Sequence, residues 1–201
     1  MKKAFLLSAI LSSCLFAQTA YVKNSEPVAL DGKRIGFVSL LTPVETVKAN
    51  KDKTEVSVVG FVQEGYQEKL VRSPALGEEF VVFEMEDGSA SYKGDKNPYI
   101  KILEKTEDDY GEVWLKAEFK FEVTSENLTN DPEPLYGNAK NLFEQTCSAC
   151  HILHEPNSYT VNQWPSQIES MISSGFVGLE DADKNAIIKY LQHNARDAVA
   201  K

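Results

Sequence analysis

Five consecutive residues, Cys147-Ser148-Ala149-Cys150-His151, constrain this 201-residue chain more than any other feature. Two thiols three residues apart, followed at once by an imidazole, form the C-x-x-C-H pattern of covalent c-type haem attachment. The spacing has a mechanical reason. On a helical turn the two sulfurs reach the two vinyl groups on one edge of a porphyrin. The next side chain then projects under the ring, its nitrogen toward the iron. A haem held this way also adds apolar mass to a short helical segment. Cys147 and Cys150 are therefore expected to carry the thioethers of one haem c, and His151 to be the proximal iron ligand.

Other chemistries compete for the same residues. A redox-active C-x-x-C disulfide belongs beside a βαβ pattern, whereas the flanks here read as helical. A zinc site drawn from Cys147, Cys150, His151 and His154 would crowd four ligands into eight residues, closer than paired zinc ligands usually lie.

The remaining cysteine, Cys14, falls in a different kind of segment. Lys2 and Lys3 precede an apolar stretch from Ala4 to Ala17, too short to span a bilayer and shaped like a secretory signal. Cleavage is expected after Ala17, leaving Gln18 as the first mature residue. Leu11-Ser12-Ser13-Cys14 also has the form of a lipobox, so a lipid anchor on Cys14 is the alternative. Either way the chain is expected in the periplasm, where close thiols oxidise unless they are engaged. No apolar run approaches the ~20 residues of a membrane-spanning helix. The net charge of −9 argues against a nucleic-acid surface, which needs clustered cations.

Residues 21–128 read as β-structure. Val113, Leu115, Ala117, Phe119, Phe121 and Val123 alternate with mostly charged neighbours, a period of two with one buried face. Trp114 interrupts the polar face and is expected to cover a neighbouring segment. Phe80–Met85 reads as a further strand, and Asp31-Gly32, Asp87-Gly88 and Tyr110-Gly111 as turns. Thr54–Val58 echoes Gly111–Leu115, a pattern that resembles two small β units of bacterial SH3-like barrels.

Pro132 and Pro134 mark a linker, after which the apolar period becomes helical. Leu135, Ala139, Leu142 and Phe143 share one face leading into Cys147. Trp164, Ile168, Met171 and Ile172 share a second, with Gly175 as its C-cap. Leu179-Glu180-Asp181 opens a third helix carrying Ile187, Ile188 and Leu191. The expected fold class is α+β and multidomain: SH3-like β module(s), then a small all-α cytochrome c domain. Its divisions are a signal peptide at 1–17, a β-rich region at 18–128, a linker at 129–135 and the haem domain at 136–201.

The second axial ligand is expected to be Met171, since a thioether is the usual partner of histidine in electron carriers. Met85 lies in the β-rich part. His154 follows His151 too closely to cross the ring, and His193 sits at a polar helix end.

Residues 136–195 resemble a monohaem class I cytochrome c. More narrowly, CSACH with Thr160–Pro165, Met171 and Ile187–His193 resembles the C-terminal monohaem domain of TorC-type cytochromes, which serve periplasmic trimethylamine N-oxide (TMAO) reductases. The resemblance covers the last third well and the β segment loosely. It implies His151 proximal, Met171 distal, and single-electron transfer in anaerobic respiration. The implied partners are an upstream donor and a molybdenum-containing TMAO or S-oxide reductase. That family carries four further haems and a membrane anchor, whereas this sequence has a single C-x-x-C-H and no membrane-spanning run, so quinol oxidation is not expected of it. A haem-based redox sensor, or an electron acceptor for a dehydrogenase such as sulfite dehydrogenase, is the alternative. No catalytic dyad, nucleophile triad or phosphate loop is legible. The acidic runs at Glu78-Glu79, Glu84–Asp87 and Glu104–Glu112 read as solvated faces or as steering charge for basic redox partners.

Overall fold

Alternating apolar side chains make the longest strands, and these set the architecture. β1 (Thr19–Val22), β2 (Glu26–Leu30), β3 (Lys33–Val38) and β4 (Pro43–Ala49) lead into the eleven-residue β5 (Lys53–Gln63). β6 (Tyr66–Val71), β7 (Glu79–Val82), β8 (Ile100–Glu107), β9 (Val113–Thr124) and β10 (Leu128–Thr129) complete a ten-stranded antiparallel sheet. β5 organises it. Its whole length pairs with β9, from Lys53↔Thr124 to Gln63↔Trp114. Its other edge is divided, β4 taking the first half and β6 the second. The sheet therefore curls into a half-barrel around a core that includes Val56, Val58, Phe83, Phe119 and Phe121. Glu26 draws β2 toward the far edge by accepting the Thr124 backbone N–H at 2.8 Å. The computed structural model describes residues 19–198.

Three helices follow: α1 (Glu133–Cys147), α2 (Trp164–Ser173) and α3 (Asp181–His193). Their apolar faces are those the sequence pattern marks, with Ala139, Phe143, Trp164, Ile168, Ile187 and Leu191 buried. Gly175 ends α2 in the left-handed region (φ 74°), its N–H donating to the Ile172 carbonyl.

The expected fold class is overturned. The chain is mostly β, and neither separate SH3-like modules nor a small all-α cytochrome c domain forms. The echoing segments lie in β5 and β9, adjacent strands of one sheet, so the repetition reflects a shared inner face. The helices fail to separate because their core is completed from the sheet. Leu76, in the β6–β7 loop, is 4% exposed and packs among Phe143, Trp164, Ile168 and Leu191. Phe80–Met85 also falls short of one strand. Pairing in β7 stops at Val82, and Met85 opens a tight turn closed by Gly88 N–H to the Met85 carbonyl. Trp114 does cover its neighbour, donating Nε1–H to Asp108 in the β8–β9 turn at 3.0 Å. No helix among the described residues is long and apolar enough to cross a membrane. The signal segment 1–17 and Cys14 lie outside the described residues.

Candidate functional site

Helical spacing brings the sulfur and imidazole groups together. α1 starts at a Pro132 cap with Pro134 in its first turn, where a missing N–H costs nothing. Fifteen residues later it ends at Cys147, one turn beyond buried Phe143, so both side chains face the same way. Past the helix end the chain turns through Ser148–Cys150, leaving Cys150 exposed and Cys147 half-buried, both as free thiols. Burial pushes the Cys147 thiol above its ordinary pKa, keeping it protonated at neutral pH.

His151 lies 2.8 Å through Nδ1 from the Ile152 carbonyl oxygen. With Nδ1–H as the donor, Nε2 keeps its lone pair for a metal, the arrangement that fixes ligating histidines elsewhere. Trp164, at the start of α2, is 3% exposed and donates Nε1–H to the Pro156 carbonyl at 2.8 Å. Ile168 and Met171 follow on the same face.

These elements enclose one crevice, of about 70 Å³, lined by Phe143, Cys147, His151, Trp164, Ile168 and Met171. Leu153, His154, Tyr159 and Gln167 complete its rim. Aromatic rings meet edge to face around it, Tyr159 and Trp164 at 4.8 Å between centroids and Phe143 and Trp164 at 6.5 Å. The neighbourhood is acidic. Burial raises the Tyr190 phenol, and the Glu144 and Glu155 carboxylates add to that rise.

Of the sequence candidates, the structure gathers Cys147, His151 and Met171 at one crevice and leaves Cys150 on its exposed side. Met85 is elsewhere, on the sheet's own surface beside Tyr92 and Tyr99. His193 ends α3 and stacks on Tyr136 at 4.0 Å, away from the crevice. His154 does line it, with its ring centroid 6.0 Å from that of His151. Among the described residues, no three His, Cys, Asp or Glu side chains converge into a metal cage. The acidic residues of 104–112 lie on the β8–β9 hairpin, and none lines the crevice.

The donor set fits a covalently attached haem: two thiols, an imidazole with Nε2 free, a thioether on another helix, and aromatic walls. The enclosed space is well under the roughly 300 Å³ at which small-molecule pockets begin. A porphyrin would therefore lie largely outside it, next to the C-x-x-C-H turn, where Ile152 is 94% exposed.

Sequence reasoning missed the attachment of this site to the sheet. Asn162 Nδ2 donates to the Ala75 carbonyl at 3.0 Å, and its Oδ1 accepts the Gly77 N–H at 2.6 Å. Lys189 Nζ, buried in α3, donates to Glu78 Oε1 at 3.0 Å and to the Glu79 carbonyl at 2.7 Å. A lysine between Ile188 and Tyr190 was the available signal, but nothing local points to a partner 111 residues away.

An exposed C-x-x-C-H turn, closing an aromatic crevice on helices seated against a β half-barrel, is the class of site defined here. The relatives it matches are named cytochrome c-type proteins. Over 188 residues the chain is 29% identical to "Cytochrome c-type protein TorC" of Escherichia coli K12, covering 91% of this chain and 45% of that protein. It is 28% identical over 183 residues to "Cytochrome c-type protein TorY" of Haemophilus influenzae, 84% of this chain and 49% of that one. A TorY of Escherichia coli O157:H7 matches at 30% over 94 residues, 47% of this chain and 25% of the relative. The chain spans about half the length of the curated relatives it matches, or less. The TorC similarity runs through sheet and helices alike, well beyond the last third. No family model matches the chain, and no solved structure does.

Proposed function

We propose that this chain is a periplasmic electron carrier with a single haem c, attached by thioethers to Cys147 and Cys150. His151 Nε2 and the Met171 sulfur would hold its iron. The observation that carries this reading is the crevice shared by Cys147, His151 and Met171, three groups drawn from the end of α1, the turn after it, and α2. A haem bound there supplies a one-electron couple. The chain's own contribution is to fix and shield it. His151 is oriented by the Ile152 carbonyl, Trp164 by the Pro156 carbonyl, and the Phe143, Ile168 and Tyr159 side chains keep water from the ring. With His151 and Met171 both holding the iron, the chemistry the group would supply is exchange of electrons rather than transformation of a substrate.

The TorC and TorY names support a place in a TMAO reductase system, with electrons passing from an upstream donor to a molybdenum-containing TMAO or S-oxide reductase during anaerobic respiration. Export follows from cleavage after Ala17. Mixing the ferrous holoprotein with such a reductase and its N-oxide tests this. Reoxidation dependent on both enzyme and N-oxide is expected; reoxidation independent of either overturns the assignment of partner.

A further inference from the structure

We infer that Leu76 and Asn162 are positioning residues for the Met171 sulfur, so that the β6–β7 loop serves as the fixed rear wall of the haem crevice. This rests on the reading of Met171 as an axial ligand. The loop is held too firmly for an ordinary surface connection. Ser73 Oγ accepts the Leu76 N–H at 3.1 Å, and the Arg72 N–H donates to the Glu78 carbonyl at 2.9 Å, closing it on itself. Arg72 also reaches Glu78 Oε2 at 3.5 Å, while Lys189 takes the other oxygen. Between these anchors the loop lifts Leu76 out of the sheet's own core into that of the helices.

What Leu76 touches decides its role. Its cluster includes Phe143, Trp164 and Ile168, all of which line the crevice with Cys147, His151 and Met171. Asn162 works from the other side, two residues before Trp164 and the start of α2. One amide grips the loop on both sides of Leu76, at the Ala75 carbonyl and the Gly77 N–H. The fit is close, since a Cβ at Gly77 would stand 3.0 Å from Asn162 Oδ1. Val161 beside it is fully buried, with its N–H on Asp197 at 2.8 Å and its carbonyl on Gln192 at 3.1 Å. The segment leading into α2 is thus fixed to the loop, to α3 through Gln192, and to Asp197 beyond it. Met171 lies seven residues along that helix, on the face of Trp164. A helix is stiff over two turns, so where it starts determines where the sulfur ends. An axial bond depends on a few tenths of an ångström, and a rear wall on the sheet supplies that precision.

The test uses full-length holoprotein carrying Asn162→Ala, Leu76→Ala or Leu76→Met, with Met171→Ala as the reference. Asn162 is exposed, so its replacement removes two hydrogen bonds without opening a cavity. Covalent haem content and far-UV circular dichroism should match the parent. The ferric methionine-to-iron charge-transfer band should be lost or strongly weakened in Asn162→Ala and Leu76→Ala, and carbon monoxide should bind their ferrous forms. Leu76→Met, which conserves volume, should restore the band. If the band survives in Asn162→Ala and Leu76→Ala but disappears in Met171→Ala, the positioning role is wrong and the ligand stands. If Met171→Ala itself keeps the band, the ligand reading falls and this inference with it.

Discussion

Lys189 and Glu78 form an ion pair of 3.0 Å in which the side chains are 6% and 9% exposed, joining α3 to the end of the β6–β7 loop. A pair this dry recovers little beyond its own desolvation, but breaking it is costly, because the survivor is left charged in an apolar joint. Lys189→Met should therefore destabilise the protein by about 3 kcal/mol, the lower end of the usual 3–5, since Arg72 stays near the orphaned carboxylate. Adding Glu78→Gln should recover most of that loss. Chemical denaturation of the two variants checks it, and equal instability in single and double mutants would contradict it.

The same lysine has a pH signature. Burial holds its ammonium below the ordinary 10.5, with Glu78 pulling the other way. Its folded pKa is depressed, so between that lowered value and 10.5 the unfolded chain binds more protons than the folded one. Stability from this residue then rises with pH across that window. The full penalty applies below the window. Lys189→Met should lack the rise, read as the difference between the two proteins' unfolding free energies on the alkaline side.

Cleavage of the connection between sheet and helices should not release the helices. Asn130 and Asp131 are exposed and accessible to a protease. Leu76, Asn162 and Lys189 all bind across the junction without using that segment. The two fragments of a chain cut at Asp131 should co-elute on size exclusion and keep the haem spectrum of the intact protein. Fragments that part under native conditions would show the joint to be weaker than its contacts.

The thioethers can be separated by mass. Holoprotein made with a cytochrome c maturation system should keep its haem through acidic organic extraction. Cys150→Ser should retain one bond through Cys147, with a red-shifted alkaline pyridine spectrum from the one remaining vinyl group. Replacing both cysteines should leave extractable haem or none. Haem that came away from the native protein in acid would end the covalent reading.

The parts of this molecule readable in its sequence are those whose signal is local. Phe143 and Cys147, or Trp164, Ile168 and Met171, fall on one face because a helix repeats every 3.6 residues, and that period is visible without a partner. β9 announces itself by alternation in the same way. What could not be read is how far each face reaches. Thr54–Val58 and Gly111–Leu115 looked like two modules because strand pairing has no sequence mark for which strand is the neighbour, and β5 turned out to pair with β9 itself. Leu76 and Glu78 carried no helical period, so nothing tied them to Trp164 or Lys189. A run of helices suggests an all-α domain, while Leu76, which completes its core, lies far before Phe143 in the chain.

The axial ligand decides between a carrier and a sensor. Met171 and His154 both line the crevice, whereas His193 is occupied by its stack on Tyr136. A methionine sulfur favours ferrous over ferric iron relative to a second imidazole, and raises the potential. Met171→His should keep a low-spin haem at a lower potential and slow transfer from a high-potential donor. Met171→Ala should open the sixth position to carbon monoxide. His193→Ala should alter neither spectrum nor potential, at a cost of roughly 0.5–1.5 kcal/mol from the lost ring contact. Redox titration with ferric spectra of the three variants reads all of this at once. A parent-like low-spin spectrum in Met171→Ala, with the low-spin form lost in His154→Ala instead, would move the sixth ligand to the imidazole and remove the argument for a high-potential carrier.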